Sequence, residues 1–87
     1  MKRITASLRE RVLEVVRKIS RGQTLSYREV ARQAGNGNAA RAVGAIMRAN
    51  HDSKVPCHRV ILSSGLLGGY NGGREEKERL LRAEKAL

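Results

Sequence analysis

The chain has no phenylalanine and no tryptophan, and its only aromatic residues are Tyr27 and Tyr70. A core must therefore come from Val, Leu, Ile and Ala, and either tyrosine invites a reason beyond packing. A single cysteine, Cys57, excludes a disulfide within the chain; that fits a reducing compartment and leaves a free thiol to be explained. No apolar run reaches the length of a membrane span or of a signal peptide's central segment, and Met1-Lys2-Arg3-Ile4-Thr5 carries no cleavage pattern, so an intracellular monomer without a membrane partner is expected. At 87 residues there is room for one domain, 1–87, around one modest core, and none for a second.

Acidic residues are scarce too: 8 Asp and Glu face 18 Lys and Arg, a formal charge of +10. A field of that size around so small a body attracts polyanions, nucleic acid first among them; a ribosomal or membrane-surface role and plain solubility are the other uses of such a surface. The excess lies upstream, with nine basic and three acidic residues in 1–34 against five and four in 74–87. The tail therefore reads as an ordinary solvated helix.

Leu8, Val12, Val15, Val16 and Ile19 recur at helical spacing behind Ser7 and Glu10 in capping-box register, and Gly22 ends the run. Ser26 with Glu29 repeats the box at the start of a short helix stopped by Gly35, and Asn38 is placed to cap a third helix running to about Ala49. Two short helices joined by a tight Gly/Asn turn are a helix-turn-helix signal. The third helix carries Ala39, Ala40, Ala42, Gly44, Ala45 and Ala49, small enough for its backbone to lie against a partner or against the second helix. Arg41 and Arg48, seven residues apart, share one side of it. Beyond Pro56, Val60-Ile61-Leu62 and Leu66-Leu67 flank Ser64-Gly65 as a small β-hairpin, followed by a glycine-rich loop around Tyr70 that fits neither a P-loop nor a dinucleotide fingerprint. A last helix spans about Arg74 to Ala86, acidic in its first turn and apolar at Leu80, Leu81 and Ala83. The fold class is mainly α: a winged-helix-like helix-turn-helix domain with a small hairpin.

Pro56-Cys57-His58-Arg59-Val60 is the sharpest chemical feature, a lone thiol with an imidazole and a guanidinium as neighbours in sequence. Nearby positive charge favours thiolate over thiol and lowers the thiol pKa, giving a better nucleophile. A small buried cysteine beside a satisfied core histidine is the other reading of the pair. Zinc is excluded on spacing, because Cys57, His51 and His58 match no recognised pattern and no second cysteine exists. No metal or cofactor is expected.

Pro-Cys-His-Arg-Val, preceded by Arg41-Ala42-Val43-Gly44 through Met47-Arg48-Ala49-Asn50 and followed by Gly-x-Tyr-x-Gly-Gly, resembles the C-terminal domain of the O6-alkylguanine-DNA alkyltransferases, over about residues 6 to 85. The resemblance implies a winged-helix-like domain that binds double-stranded DNA containing alkylated guanine, enters the minor groove, rotates the damaged base out and accepts its alkyl group on Cys57, once per molecule. It implies His58 as a base acting through water, oriented by Glu84, and Tyr27 as a proton donor to the flipped base that also crowds the backbone phosphate. Arg41 becomes the finger filling the vacated stack, with Ala39 and Ala40 on the same DNA-facing helix. Arg48 is a phosphate contact or a salt-bridge partner. Asn50 braces the turn before the active-site strand; Met47, Val60, Tyr70, Asn71 and Gly72 line the base pocket, with backbone groups of Val60 and Asn71 reading the guanine edge. Arg59 belongs to an internal ion pair.

His51 stands where the family usually has proline and Asn71 where serine is frequent, which implies a looser turn and altered contacts to the alkylated oxygen. The family's separate N-terminal domain has no counterpart in these residues. A domain-only form also resembles the alkyltransferase-like proteins, which bind the same lesions without accepting the group and usually carry tryptophan at the acceptor position; here it is cysteine. A lesion sensor and a winged-helix regulator reading undamaged sequence are the alternatives to transfer.

Overall fold

The computed structural model describes residues 7–68 and 73–87. Four helices, α1 (Leu8–Arg17), α2 (Tyr27–Gln33), α3 (Ala40–Ala49) and α4 (Arg74–Ala83), surround a two-stranded sheet of β1 (Leu25–Ser26) and β2 (Val60–Ile61). A 3₁₀ turn over Cys57–Arg59 leads into β2. The architecture is the mainly α, helix-turn-helix arrangement read from the sequence, with α1 and α3 both packed on α2. None of the described helices is long and apolar enough to cross a membrane.

The first capping box forms in full. Ser7 Oγ accepts from the Glu10 backbone N–H at 3.1 Å, and Glu10 Oε1 accepts from the Ser7 N–H at 2.9 Å. Only half of the second forms: Ser26 Oγ accepts from the Glu29 N–H, but the Glu29 carboxylate turns to Arg32 and Gln33 instead. The stop at Gly35 holds, because Asn36 N–H reaches the Ala31 carbonyl and Gly35 N–H the Arg32 carbonyl, a closure that needs Gly35 at φ 94°.

Four boundaries differ from expectation. Helix α1 ends at Arg17 rather than at Gly22: Lys18 and Ile19 donate three residues back, and Ile19 plugs into the core as the chain leaves the helix. Asn38 does not cap α3; Ala39 takes that position with no side-chain cap, while the Asn38 N–H is held by Asn36 Oδ1 at 3.1 Å. Helix α4 stops at Ala83, three residues early, where Lys85 turns left-handed at φ 62°. The hairpin is present only as a tight turn, with Leu62 N–H donating to the Leu66 carbonyl at 2.8 Å. Leu62 and Leu66 are 40% and 58% exposed, so there is no buried face to extend a ladder, and β2 pairs instead in parallel with β1 through Leu25–Val60 and Ser26–Ile61.

The core is valine-rich. Val12 and Val16 of α1, Val30 of α2, Val43 of α3 and Val60 of β2 have no exposed surface, and Met47 and Cys57 belong to the same cluster. Branched side chains with few rotamers fill this space without aromatic rings and lose little freedom on burial. Leu81 and, unexpectedly, Lys77 are the fully buried side chains of α4.

Candidate active site

Cys57 sits at the first position of the 3₁₀ turn, where its backbone N–H donates to the Val55 carbonyl at 2.8 Å. The loop before it is shaped by Asp52, whose carboxylate accepts from the Lys54 N–H and whose carbonyl accepts from the Val55 N–H. Asn50, which caps the C-terminal end of α3 and is itself buried, donates Nδ2–H to the Asp52 carbonyl at 3.3 Å and to Cys57 Sγ at 3.0 Å. The asparagine thus braces the turn as expected and also holds the sulfur, a contact that sequence reasoning did not supply.

Cys57 is 6% exposed, yet it borders a cavity of about 600 Å³ whose walls include Arg17, Asn50, His51, Lys54 and His58. The residue is closely packed and still borders open space. Met47 and Val60, expected as pocket walls, are core residues and do not line this cavity. Tyr70, Asn71 and Gly72, expected to line the same base pocket, lie outside the described residues.

His58 Nε2 and Glu84 Oε2 are 2.9 Å apart, joining the 3₁₀ turn to the C-terminal end of α4. Arg59 grips the same carboxylate with both edges, Nε to Oε1 at 2.9 Å and Nη2 to Oε2 at 2.7 Å, and donates Nη1–H to the Ile19 carbonyl at 2.8 Å. The internal ion pair assigned to Arg59 is therefore present. Its hydrogen bonds, reinforced by His58, hold the Glu84 carboxyl down at about 2 against the opposing effect of burial. An ionised Glu84 accepts, so Nε2 is the protonated nitrogen of His58 and Nδ1 is left as the basic one.

The thiol pKa moves opposite to expectation. Burial pushes Cys57 up, while the Asn50 amide, a backbone hydrogen bond and the Lys77 charge pull it back and Asp52 adds to the rise. Adjacency in sequence had suggested that Arg59 would favour the thiolate, but its charge is neutralised by Glu84. A thiol in this setting needs a base to become a nucleophile.

Lys77 is the buried cation beside the thiol that sequence reasoning missed. It has no exposed surface; Nζ donates to the Val60 carbonyl at 2.6 Å and to Tyr27 Oη at 3.5 Å, and lies 5.6 Å from the centre of the Tyr27 ring. Burial lowers its pKa to about 8, with Cys57 acting in the other direction. The signal was its spacing: Lys77, Leu81 and Glu84 stand at i, i+4 and i+7, the buried stripe of α4. Tyr27, at the first position of α2, is half-buried, and its phenol is pushed up by burial, against the pull of Arg48 and with a further rise from Cys57. Gly68 crowds it, since a Cβ there would stand 3.2 Å from the Tyr27 ring and 3.3 Å from its oxygen.

On α3, Arg41 and Arg48 are exposed and Ala40 is partly so, but Ala39, expected on the same outer face, is a core residue at 7% exposure because its helix-capping position packs inward. Arg48 lies back over Gly44, where a Cβ would meet its guanidinium at 3.5 Å. Among the described residues, no cluster of His, Cys, Asp and Glu could hold a metal ion.

His58 and Glu84, hydrogen-bonded to each other next to the buried Cys57 thiol, with Tyr27 and Lys77 in its electrostatic surroundings, define a helix-turn-helix domain with a free thiol at its centre. The family model described as "6-O-methylguanine DNA methyltransferase, DNA binding domain" matches residues 7–86, and the chain belongs to that family. It is 53% identical over 74 residues to the methylated-DNA–protein-cysteine methyltransferase of Methanothermobacter thermautotrophicus, covering 85% of this chain and 42% of that protein. Among solved structures it is similar to Mycobacterium tuberculosis OGT in complex with DNA, with TM-score 0.87, 44% identity and coverage of 95% of this chain and 51% of that one. Schizosaccharomyces pombe Atl1 in complex with damaged DNA containing O6-carboxymethylguanine gives TM-score 0.82 and 30% identity, over 94% of this chain and 79% of that one. The chain spans under half the length of the curated relatives it matches.

Proposed function

We propose that residues 1–87 act as one unit that repairs DNA directly, accepting an alkyl group from O6-alkylguanine in a duplex onto Cys57 in a single displacement. The carrying observation is the sulfur itself, bound by Asn50 at 3.0 Å and bordering a cavity with the imidazole that Glu84 orients. His58 Nδ1 takes the thiol proton through water; the sulfur–carbon bond forms as the carbon–oxygen bond breaks, and the guanine takes up one proton. The thiol proton is thus delivered, in net terms, to the departing base. Tyr27 is the donor to the base. Burial keeps its phenol protonated, and the Lys77 ammonium on its oxygen strengthens it as a donor. The product is a thioether, a bond that water does not hydrolyse under mild conditions, so each molecule acts once.

Arg41 fills the stack left by the everted base, Arg48 contacts the backbone, and Ala40 allows α3 to lie close in the groove. Tyr70, Asn71 and Gly72 line the base pocket, with Met47 and Val60 as the core behind it.

Incubation with a duplex oligonucleotide carrying O6-methylguanine will add the mass of one methylene to the chain, located on the peptide containing Cys57. Cys57→Ala will abolish the addition and leave lesion affinity close to that of the parent. Tight lesion binding with an unmodified Cys57 would instead assign the chain to the sensors, and preference for one undamaged sequence would make it a regulator.

A further inference from the structure

Glu84 Oε2 has two donors, His58 Nε2 at 2.9 Å and Arg59 Nη2 at 2.7 Å. The same guanidinium bonds Glu84 Oε1 and the Ile19 carbonyl, so all three of its nitrogens are engaged and its plane is fixed between α4 and the end of α1. We propose that Arg59 is a positioning residue for the Cys57 relay, dividing the Glu84 carboxylate so that it orients His58 while delivering little net charge to it, and thereby setting the pH range in which His58 accepts the thiol proton. The proposal rests on the alkyl-transfer reading above.

A carboxylate bound to imidazole alone stabilises the imidazolium and makes the ring harder to keep neutral. Paired with Arg59, Glu84 presents a nearly neutral ion pair, and what remains is a directional hydrogen bond. All three side chains are largely buried, at 12% exposed for His58, 16% for Arg59 and 10% for Glu84, so solvent screens the arrangement weakly. The carboxyl held at about 2 shows how firmly Arg59 claims it, and excludes Glu84 as a resting place for the proton: the thiol proton goes no further along the relay than imidazole. Other charged and titratable groups around the ring are Cys57 on the same turn, Arg17 of α1, Arg21 of the following turn, His51, Asp52 and Lys54 of the preceding loop, and Lys77 of α4. Among the described hydrogen bonds, none of these reaches the Glu84 carboxylate.

The test is the pH dependence of single-turnover methyl transfer from an O6-methylguanine duplex, for the parent chain and for Arg59→Met and Arg59→Lys. In Arg59→Met the whole carboxylate acts on His58, and the acid limb will move to higher pH by about one unit, whatever happens to the plateau. Arg59→Lys, which retains charge but only one nitrogen, will fall between. A lower plateau with an unmoved limb in both variants would overturn the proposal, since a purely structural ion pair changes amplitude and stability alone. Should Arg59→Met fail to fold, Arg59→Lys carries the decision, with the His58 ring titration followed by NMR without DNA: an upward move of its midpoint is expected, and no move overturns the proposal. If the parent chain transfers nothing, the alkyl-transfer reading fails by itself, and the ring titration still decides whether Arg59 divides the carboxylate.

Discussion

Lys77 carries an ammonium group with no exposed surface, and that burial has a thermodynamic sign. Its folded-state pKa, about 8, lies below the 10.5 of an ordinary lysine, so between those values the unfolded chain binds the proton more tightly and stability rises with pH. At neutral pH the buried charge therefore costs stability, on the order of 3 kcal/mol from the size of the shift. Cys57 and Tyr27, both raised, act in the opposite direction at alkaline pH, so the informative quantity is a difference between two proteins. Lys77→Met will unfold at a higher denaturant midpoint than the parent at pH 7, and the gap will narrow toward about pH 10, while methyl transfer falls at least about tenfold; an equal or faster transfer rate would remove Lys77 from the site. A stability cost retained beside a free thiol is a mark of functional sites and supports placing Lys77 in the proposed one. The thiol, the imidazole and the carboxylate were legible as residue types in sequence, but their electrostatics were not. Arg59, next but one to Cys57, neutralises Glu84, and Lys77, twenty residues away in a run that reads as a solvated face, is the cation the sulfur feels.

Helix α4 has to end where Glu84 can reach back to His58, and its closing turn does this with an unfavourable residue. Ala86 N–H bonds the Leu81 carbonyl at 2.9 Å and Lys85 N–H the Arg82 carbonyl at 3.0 Å, the paired closure that α2 makes around Gly35. Here the left-handed position is Lys85 at φ 62° instead of glycine, which costs a side-chain-bearing residue roughly 1 kcal/mol. Lys85→Gly will stabilise the domain by about 0.5–1 kcal/mol, offset in part by glycine's greater freedom when unfolded, read as a rise in thermal midpoint of a few degrees. A fall would mean that the lysine side chain contributes more than its backbone costs. Elements of this kind were legible where local chemistry decides them: Ser7 with Glu10 and Gly35 mark their boundaries correctly. The parallel pairing of Leu25–Ser26 with Val60–Ile61 was not, because strands of two residues leave no periodicity and their partner is more than thirty residues distant. The early ends of α1 and α4 have the same origin. Ile19 is drawn into the core, and the turn behind it, where a Cβ on Gly22 would stand 3.3 Å from the Glu84 carbonyl, packs against the end of α4.

For the whole molecule, the +10 charge decides little until it is divided by partner. On α4, Arg79 pairs with Glu76 and Arg82 with Glu78, and on α1, Arg17 and Lys18 pair with Glu14. Arg28, Arg41 and Arg48, exposed on the helix-turn-helix face, have no ion pair among the described residues. This favours the phosphate contact proposed for Arg48 over a salt bridge within the chain, since a cation already neutralised by its own chain releases few counterions on binding. Measured as log affinity against log salt on lesion duplex, Arg48→Ala will weaken binding and flatten the slope by about one, whereas Arg79→Ala will change neither. Arg41→Ala will weaken binding with a smaller change of slope, because a planar cation in the base stack acts mainly through contact and less by neutralising phosphate. Equal slopes for Arg48→Ala and Arg79→Ala would mean that the polyanion meets the domain through its diffuse field, and that α3 is not the surface that binds.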